Sequence, residues 1–177
     1  MGKYTVEFLE KFMKERGPRF EVLKEGDPFL RTKCAPVAET TSTHKRLCDL
    51  MLHTMDAEQG IGLAAPQVGI GLRVLVMRDV TPTGNKRGML AYYMVNPEII
   101  EREGFYEEEE GCLSMPEKRC RVMRNKKVKV RYTAPHEFEE DGYLVKERSF
   151  EGLSAACVQH EVDHLDGILM TDRQTDG

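Results

Sequence analysis

The stretch "CVQHEVDHLDG", residues 157–167, sets two histidines four apart with a glutamate directly after the first. On an α-helix of about 3.6 residues per turn, His160 and His164 share one face roughly a turn apart, so both imidazoles can reach one ion. The same face carries Leu153, Ala156 and Cys157, so the helix is expected to be buried. Buried imidazoles must then find either hydrogen-bond partners or a metal. Glu161 sharpens that choice, because HExxH supplies two neutral nitrogen ligands and a carboxylate able to take a proton from an activated water. The competing reading is a chance match on a helix whose histidines are ordinary core or surface residues. Asp163 and Asp166 follow, as groups that orient a ligand or an arginine, or as exposed helix-end acids.

An open catalytic metal site needs three protein ligands. Nothing after "HEVDHLDG" resembles a third histidine or a suitably spaced downstream glutamate, so the third ligand is expected upstream. "EGCLSMP" holds Cys112 between Gly111 and Leu113, where glycine permits close backbone approach. A thiol beside a divalent cation binds as the thiolate, which makes Cys112, His160 and His164 a candidate set with one position left for water. A third stretch, "GIGLAAPQVG" at 60–69, combines small residues, which leave room beside the backbone, with the amide of Gln67. By itself it reads equally well as a close-packed glycine strand with a structural glutamine.

The remainder of the chain excludes several classes. The 177 residues, with a formal net charge of -4, suit one compact domain, and acids and bases are interspersed except at "EEEE" (107–110) and in the Lys/Arg-rich stretch Lys118–Arg131. That basic stretch contains "KVKVRY", whose alternation describes a strand with one wet face. Clustered positive charge is necessary for ribosomal RNA contact but far from sufficient. Specific DNA binding is not expected. No apolar run approaches the ~18 residues of a membrane span and no secretory h-region is present, so a cytoplasmic location is expected. The glutamates of "TVEFLEKFMKERG", a helix expected to end at Gly17 and Pro18, argue against a transit peptide, although an organellar site stays open. Five scattered cysteines without a CxxC pair point to reduced thiols.

A helix is expected around 43–58 and another over 153–165. Strands are expected around "LRVLVM", "YYMVNP", "KVKVRY" and "YLVKERSF", with a turn at Asp141–Gly142 and an exposed loop over 81–88. Strands in the middle with a helix on either side make α+β the expected class.

Taken together and in this order, "GIGLAAPQVG", "EGCLSMP" and "QHEVDHLDG" resemble the three signature motifs of the peptide deformylases, and the likeness runs from about Phe20 through "GDPFLR" to Asp172. The resemblance implies antiparallel sheets packed around a central metal-binding helix in one catalytic domain, with residues 1–19 as an N-terminal extension. It implies hydrolytic removal of the formyl group from formyl-methionyl peptides at Fe(II), with Zn or Ni in some preparations. Cys112, His160 and His164 fall on the family's metal positions and Glu161 on its general base and acid. The Gln67 amide and the Leu113 N–H fall on the groups that hold the formyl oxygen. By the same resemblance, the backbone of Ile61 and Gly62 holds the substrate main chain. Gly60, Glu110, Leu153, Ala156 and Cys157 enclose the methionine side chain, and Arg124 is expected to pair with Asp163 behind the metal.

Two positions depart from the pattern. Glu108 stands where many relatives have an apolar residue, and Ala156 is smaller than the isoleucine some carry, so a more polar, wider pocket and a preference for basic neighbouring residues are expected. The sequence ends with "GILMTDRQTDG", without the longer C-terminal helix by which some members engage the ribosome, which leaves that contact in doubt. Three rival readings stay open: a metallopeptidase, a non-catalytic formyl-peptide-binding homologue, and a thiol hydrolase with Cys112 as nucleophile and His160 as base.

Overall fold

The computed structural model describes residues 5–80, 90–139 and 142–175, the side chains of 136–142 excepted. The loop expected at 81–88 and Asp141 of the expected turn lie outside the described residues. Helix α1, Val6–Arg16, is capped by the Thr5 hydroxyl and stopped at Gly17, whose φ of 75° suits glycine. Its Leu9 and Met13, four apart, are buried against α2, Ser42–Ala57, which contributes Leu47, Cys48, Met51 and Met55 to the same core. His44 and His53 belong to this region and make local bonds. The Thr41 N–H donates to His44 Nδ1 at 3.1 Å, and His53 Nδ1 lies 3.2 Å from the Pro18 carbonyl oxygen.

Strand β1 (Gly62–Ala64), β2 (Val74–Arg78) and β3 (Ala91–Glu103) are followed by the hairpin β4 (Tyr106–Cys112) and β5 (Met115–Arg124), then β6 (Lys127–Glu139) and β7 (Gly142–Glu151). Five of them form an antiparallel sheet in the order β1-β2-β3-β6-β7, while β4 and β5 pair separately. β3 runs past the expected "YYMVNP" and is irregular at Asn96, whose φ of 51° is held by side-chain bonds to the N–H and C=O of Val37, both 2.8 Å. The wet face of β6 is visible in Lys127, Lys129 and Arg131, which pair with Glu151, Glu101 and Glu147 on the flanking strands.

Helix α3, Gly152–Leu165, is buried on most of its circumference. Ala155, Val158 and Leu165 pack with Leu75, Met77, Met94, Val130 and Phe150 of the large sheet, and α3 also contacts β5 of the hairpin. Strands therefore lie on both sides of a central helix, and the expected α+β class holds.

The hairpin β4–β5 is absent from the strands expected above. In β4 the side chains alternate between inward and outward positions, with Glu107 and Glu109 exposed and Glu108 and Glu110 progressively buried. A run of identical residues hides that alternation from any hydropathy pattern. Among the described residues, no helix is long and apolar enough to cross a membrane.

Candidate active site

The third and fourth turns of α3 present His160 and His164, and the end of β4 brings Cys112 to them. His164 Nε2 lies 3.2 Å from His160 Nε2 and 3.3 Å from Cys112 Sγ, and the three donor atoms are all within 4.8 Å of one another. Bond lengths of about 2.0–2.1 Å to nitrogen and 2.3 Å to sulfur in a tetrahedral site separate such donors by roughly 3.3–3.6 Å. These side chains are already close to that arrangement, and the residues fit one divalent ion.

Tautomers support the same fit. His160 Nδ1 sits 2.9 Å from Glu110 Oε2, so it donates there and leaves the Nε2 lone pair facing the cluster. Burial opposes charge on His160, but hydrogen bonds with Cys112 and Glu110 hold its pKa well above the usual imidazole range. Burial and the His160 charge push His164 well below it. One imidazole thus retains a proton that a bound cation displaces.

Behind His160 stands a buried ion-pair network. Arg124 forks Glu110 with Nε to Oε1 at 2.6 Å and Nη2 to Oε2 at 2.9 Å, and reaches Asp163 Oδ2 with Nη1 at 2.6 Å. Burial alone would raise the Glu110 pKa, yet the bonds from Arg124 and His160 bring it down to about 2. Arg173 closes the network on Asp163 from the other side, with bonds of 2.6 and 2.7 Å.

Glu161, one residue from His160, is 4 % exposed, and its Oε2 has no hydrogen-bond partner among the described residues. Burial is the largest influence on it and pushes its pKa up to about 7; a cation among the neighbouring donors acts in the opposite direction. Its other oxygen rests against Gly62, where an added Cβ would collide with Glu161 Oε1 and come within 2.8 Å of Cys157 Sγ.

Gln67 lies in the 3-10 turn Ala65–Val68 that follows β1. The Ala64 N–H donates to Gln67 Oε1 at 2.8 Å, which fixes the amide so that Nε2 faces Ser114 Oγ at 3.2 Å and Cys112 Sγ at 3.6 Å. The segment 23–25 ties Gln67 to Leu113. The Leu23 N–H bonds the Gln67 carbonyl at 2.8 Å, Lys24 Nζ bonds the Leu113 carbonyl at 2.9 Å, and the Glu25 N–H bonds the Ser114 carbonyl at 2.8 Å.

These groups open onto a cavity of about 570 Å³. Gly60, Ile61, Gly62, Gln67, Glu110, Cys112, Leu113, Leu153, Ala156, Cys157, His160 and Glu161 all line it, so the structure brings together nearly every candidate residue; His164 lies just beneath, and Arg124 and Asp163 lie behind His160. Leu153 is 48 % exposed, at the rim, and Glu108 is also in the lining. Sequence reasoning missed the Glu110–His160 bond, the Ser114–Gln67 bond, Lys24 and Arg173. Each of these contacts spans at least ten residues, and no local pattern announces it.

A buried HExxH helix, a cysteine delivered by a hairpin, and an oriented amide beside a cavity define the class of single-metal hydrolases. A model of the polypeptide deformylase family matches residues 20–177. The chain is 44 % identical over 154 residues to a peptide deformylase of Heliobacterium modesticaldum, covering 87 % of this chain and 93 % of that one. Its structure resembles the peptide deformylase of Thermotoga maritima with a TM-score of 0.78 at 37 % identity, over 89 % of this chain and 99 % of the other. It also resembles a class I type b peptide deformylase of Acinetobacter baumannii bound to Met-Ala-Ser, with a TM-score of 0.75 at 38 % identity, over 87 % and 97 %. This chain belongs to the polypeptide deformylase family.

Proposed function

We propose that this protein hydrolyses the N-formyl group of formyl-methionyl nascent peptides and releases formate. The convergence of Cys112, His160 and His164 beside Glu161, whose Oε2 has no hydrogen-bond partner among the described residues, carries the reading. Cys112, His160 and His164 hold one divalent ion, Fe(II) in the native protein, although this donor set also accepts Zn or Ni. The bound ion supplies Lewis acidity and brings the pKa of a neighbouring water toward neutrality.

Glu161 takes the proton from the attacking water and later passes it to the departing amine. As the formyl oxygen gains charge, the Gln67 Nε2 amide and the Leu113 N–H meet it, and loss of one such donor typically costs about 2.7–4 kcal/mol of transition-state stabilisation. The backbone of Ile61 and Gly62 aligns the peptide, while Gly60, Glu110, Leu153, Ala156 and Cys157 enclose the methionine side chain. In this reading residues 1–177 form one catalytic domain, with 1–19 as an N-terminal extension, and the protein works in the cytoplasm, where nascent chains emerge.

Anaerobically purified protein is expected to release formate from formyl-Met-Ala-Ser, to lose that activity to a chelator, and to regain it with Fe(II) or Zn. Cleavage at internal bonds without formate would instead identify a metallopeptidase, and indifference to the chelator would favour a Cys112 nucleophile. Gly62→Ala is expected to lower kcat about 100-fold with metal content intact, because a displacement of Glu161 on the order of 1 Å has an effect of that size; wild-type turnover in a metal-replete sample would contradict it. Glu108 lines the cavity and Glu58 and Glu109 stand nearby in its wall. Formyl-Met-Lys peptides are accordingly expected to show a kcat/KM about 2- to 5-fold above formyl-Met-Glu peptides, the size of an exposed charge pair. Equal values would remove the assigned role of Glu108.

A further inference from the structure

The tail after α3 is fastened beside β5 at several points. Asp172 pairs with Arg31, Gln174 forms an antiparallel bridge with Val122, and the Thr175 N–H donates to the Arg121 carbonyl at 2.9 Å. Between these anchors the guanidinium of Arg173 grips both carboxylate oxygens of Asp163, with Nε to Oδ2 at 2.6 Å and Nη2 to Oδ1 at 2.7 Å. A continuous series of charge-assisted bonds follows, from Arg173 to Asp163, Arg124, Glu110 and the Nδ1 of His160. It begins at a side chain 43 % exposed and ends at a ring that is buried.

We propose that Arg173 is a positioning residue for the metal centre, holding His160 in its coordinating orientation through Asp163, Arg124 and Glu110. With Arg124 alone, the Asp163 carboxylate is bonded through Oδ2 only and is free to turn about its terminal torsion. The fork from Arg173 spans both oxygens and sets the plane of the group. That plane sets the direction in which Arg124 Nη1 must point, and the remaining Arg124 nitrogens are then aimed at both oxygens of Glu110. The tail is therefore part of the support of the site, and its attachment to β5 through Gln174 and Thr175 gives Arg173 a fixed point from which to act.

The inference rests on the reading of His160 as a ligand. The test uses full-length protein loaded with Co(II) and measures release of the ion to a chelator together with the visible absorption of the bound ion. Arg173→Gln is expected to release Co(II) about 10-fold faster, the lower end of what loss of a partner beyond the ligands produces, and to shift the absorption bands. Arg31→Gln, which breaks the neighbouring ion pair of the same tail and removes the same charge, is expected to release at the unsubstituted rate. Arg173→Lys keeps the charge without the fork and is expected to release as fast as Arg173→Gln.

Unchanged release from Arg173→Gln overturns the proposal. So does equally fast release from Arg31→Gln, which would assign the effect to tail attachment in general, and so does full recovery with Arg173→Lys, which would assign it to charge. Failure of the unsubstituted protein to bind one Co(II) with a thiolate charge-transfer band shows separately that the ligand reading is wrong, and overturns both.

Discussion

Glu161→Gln is expected to keep one metal ion per chain while formate release falls by about 10²–10⁴-fold, the range attributed to a positioned general base. Glutamine matches glutamate in size, so the fit against Gly62 and Cys157 survives. Its amide nitrogen, however, has no lone pair with which to take a proton. The position suits a carboxylate that changes state: Glu161 is buried, its Oε2 has no hydrogen-bond partner among the described residues, and burial favours the protonated form. Steady-state kinetics on formyl-Met-Ala-Ser, with metal content measured on the same sample, checks the expectation. Turnover at the unsubstituted rate would remove Glu161 from the reaction, and loss of the metal would recast it as part of the coordination environment.

Arg124→Ala is expected to destabilise the protein by about 3–5 kcal/mol, the usual consequence of leaving one partner of a buried ion pair uncompensated. Glu110 and Asp163 are both paired with this guanidinium, which is 4 % exposed, and both carboxylates are themselves buried. Metal affinity is expected to fall about 10- to 100-fold at the same time, because Glu110 is the group that orients His160. Urea denaturation of the metal-free protein isolates the first effect and a competition titration with a zinc indicator isolates the second. A variant with wild-type stability and affinity would mean that the network is incidental to the site.

The two effects have different origins, and that difference bears on what a sequence can reveal. Glu161 is legible because its chemistry is local: it sits one residue from a ligand on a helix whose period is known. The pairing of Arg124 with Asp163 has no local pattern behind it, since 39 residues separate them. The β4–β5 hairpin escaped detection because four consecutive glutamates carry no contrast, although alternate members face opposite ways. Glu110 was expected as a pocket wall; it does line the cavity, and it also binds Arg124 and His160. The basic strand β6 was expected to have one wet face, and the structure adds that its cations meet glutamates on both flanking strands.

From the sequence alone came the periodicity of α1, α2 and α3, the alternation in β6, and the supply of donors: two imidazoles a turn apart, a thiol, a carboxylate and an amide. These depend on neighbours within a few residues, where backbone geometry relates spacing to direction. Only the tertiary structure decided which distant groups meet, that Cys112 reaches His164, that Glu110 turns His160, and that the Asp163 carboxylate is shared by two arginines. Such contacts act over about 3 Å and depend on orientation, so they exist only once packing has brought separate strands and helices together.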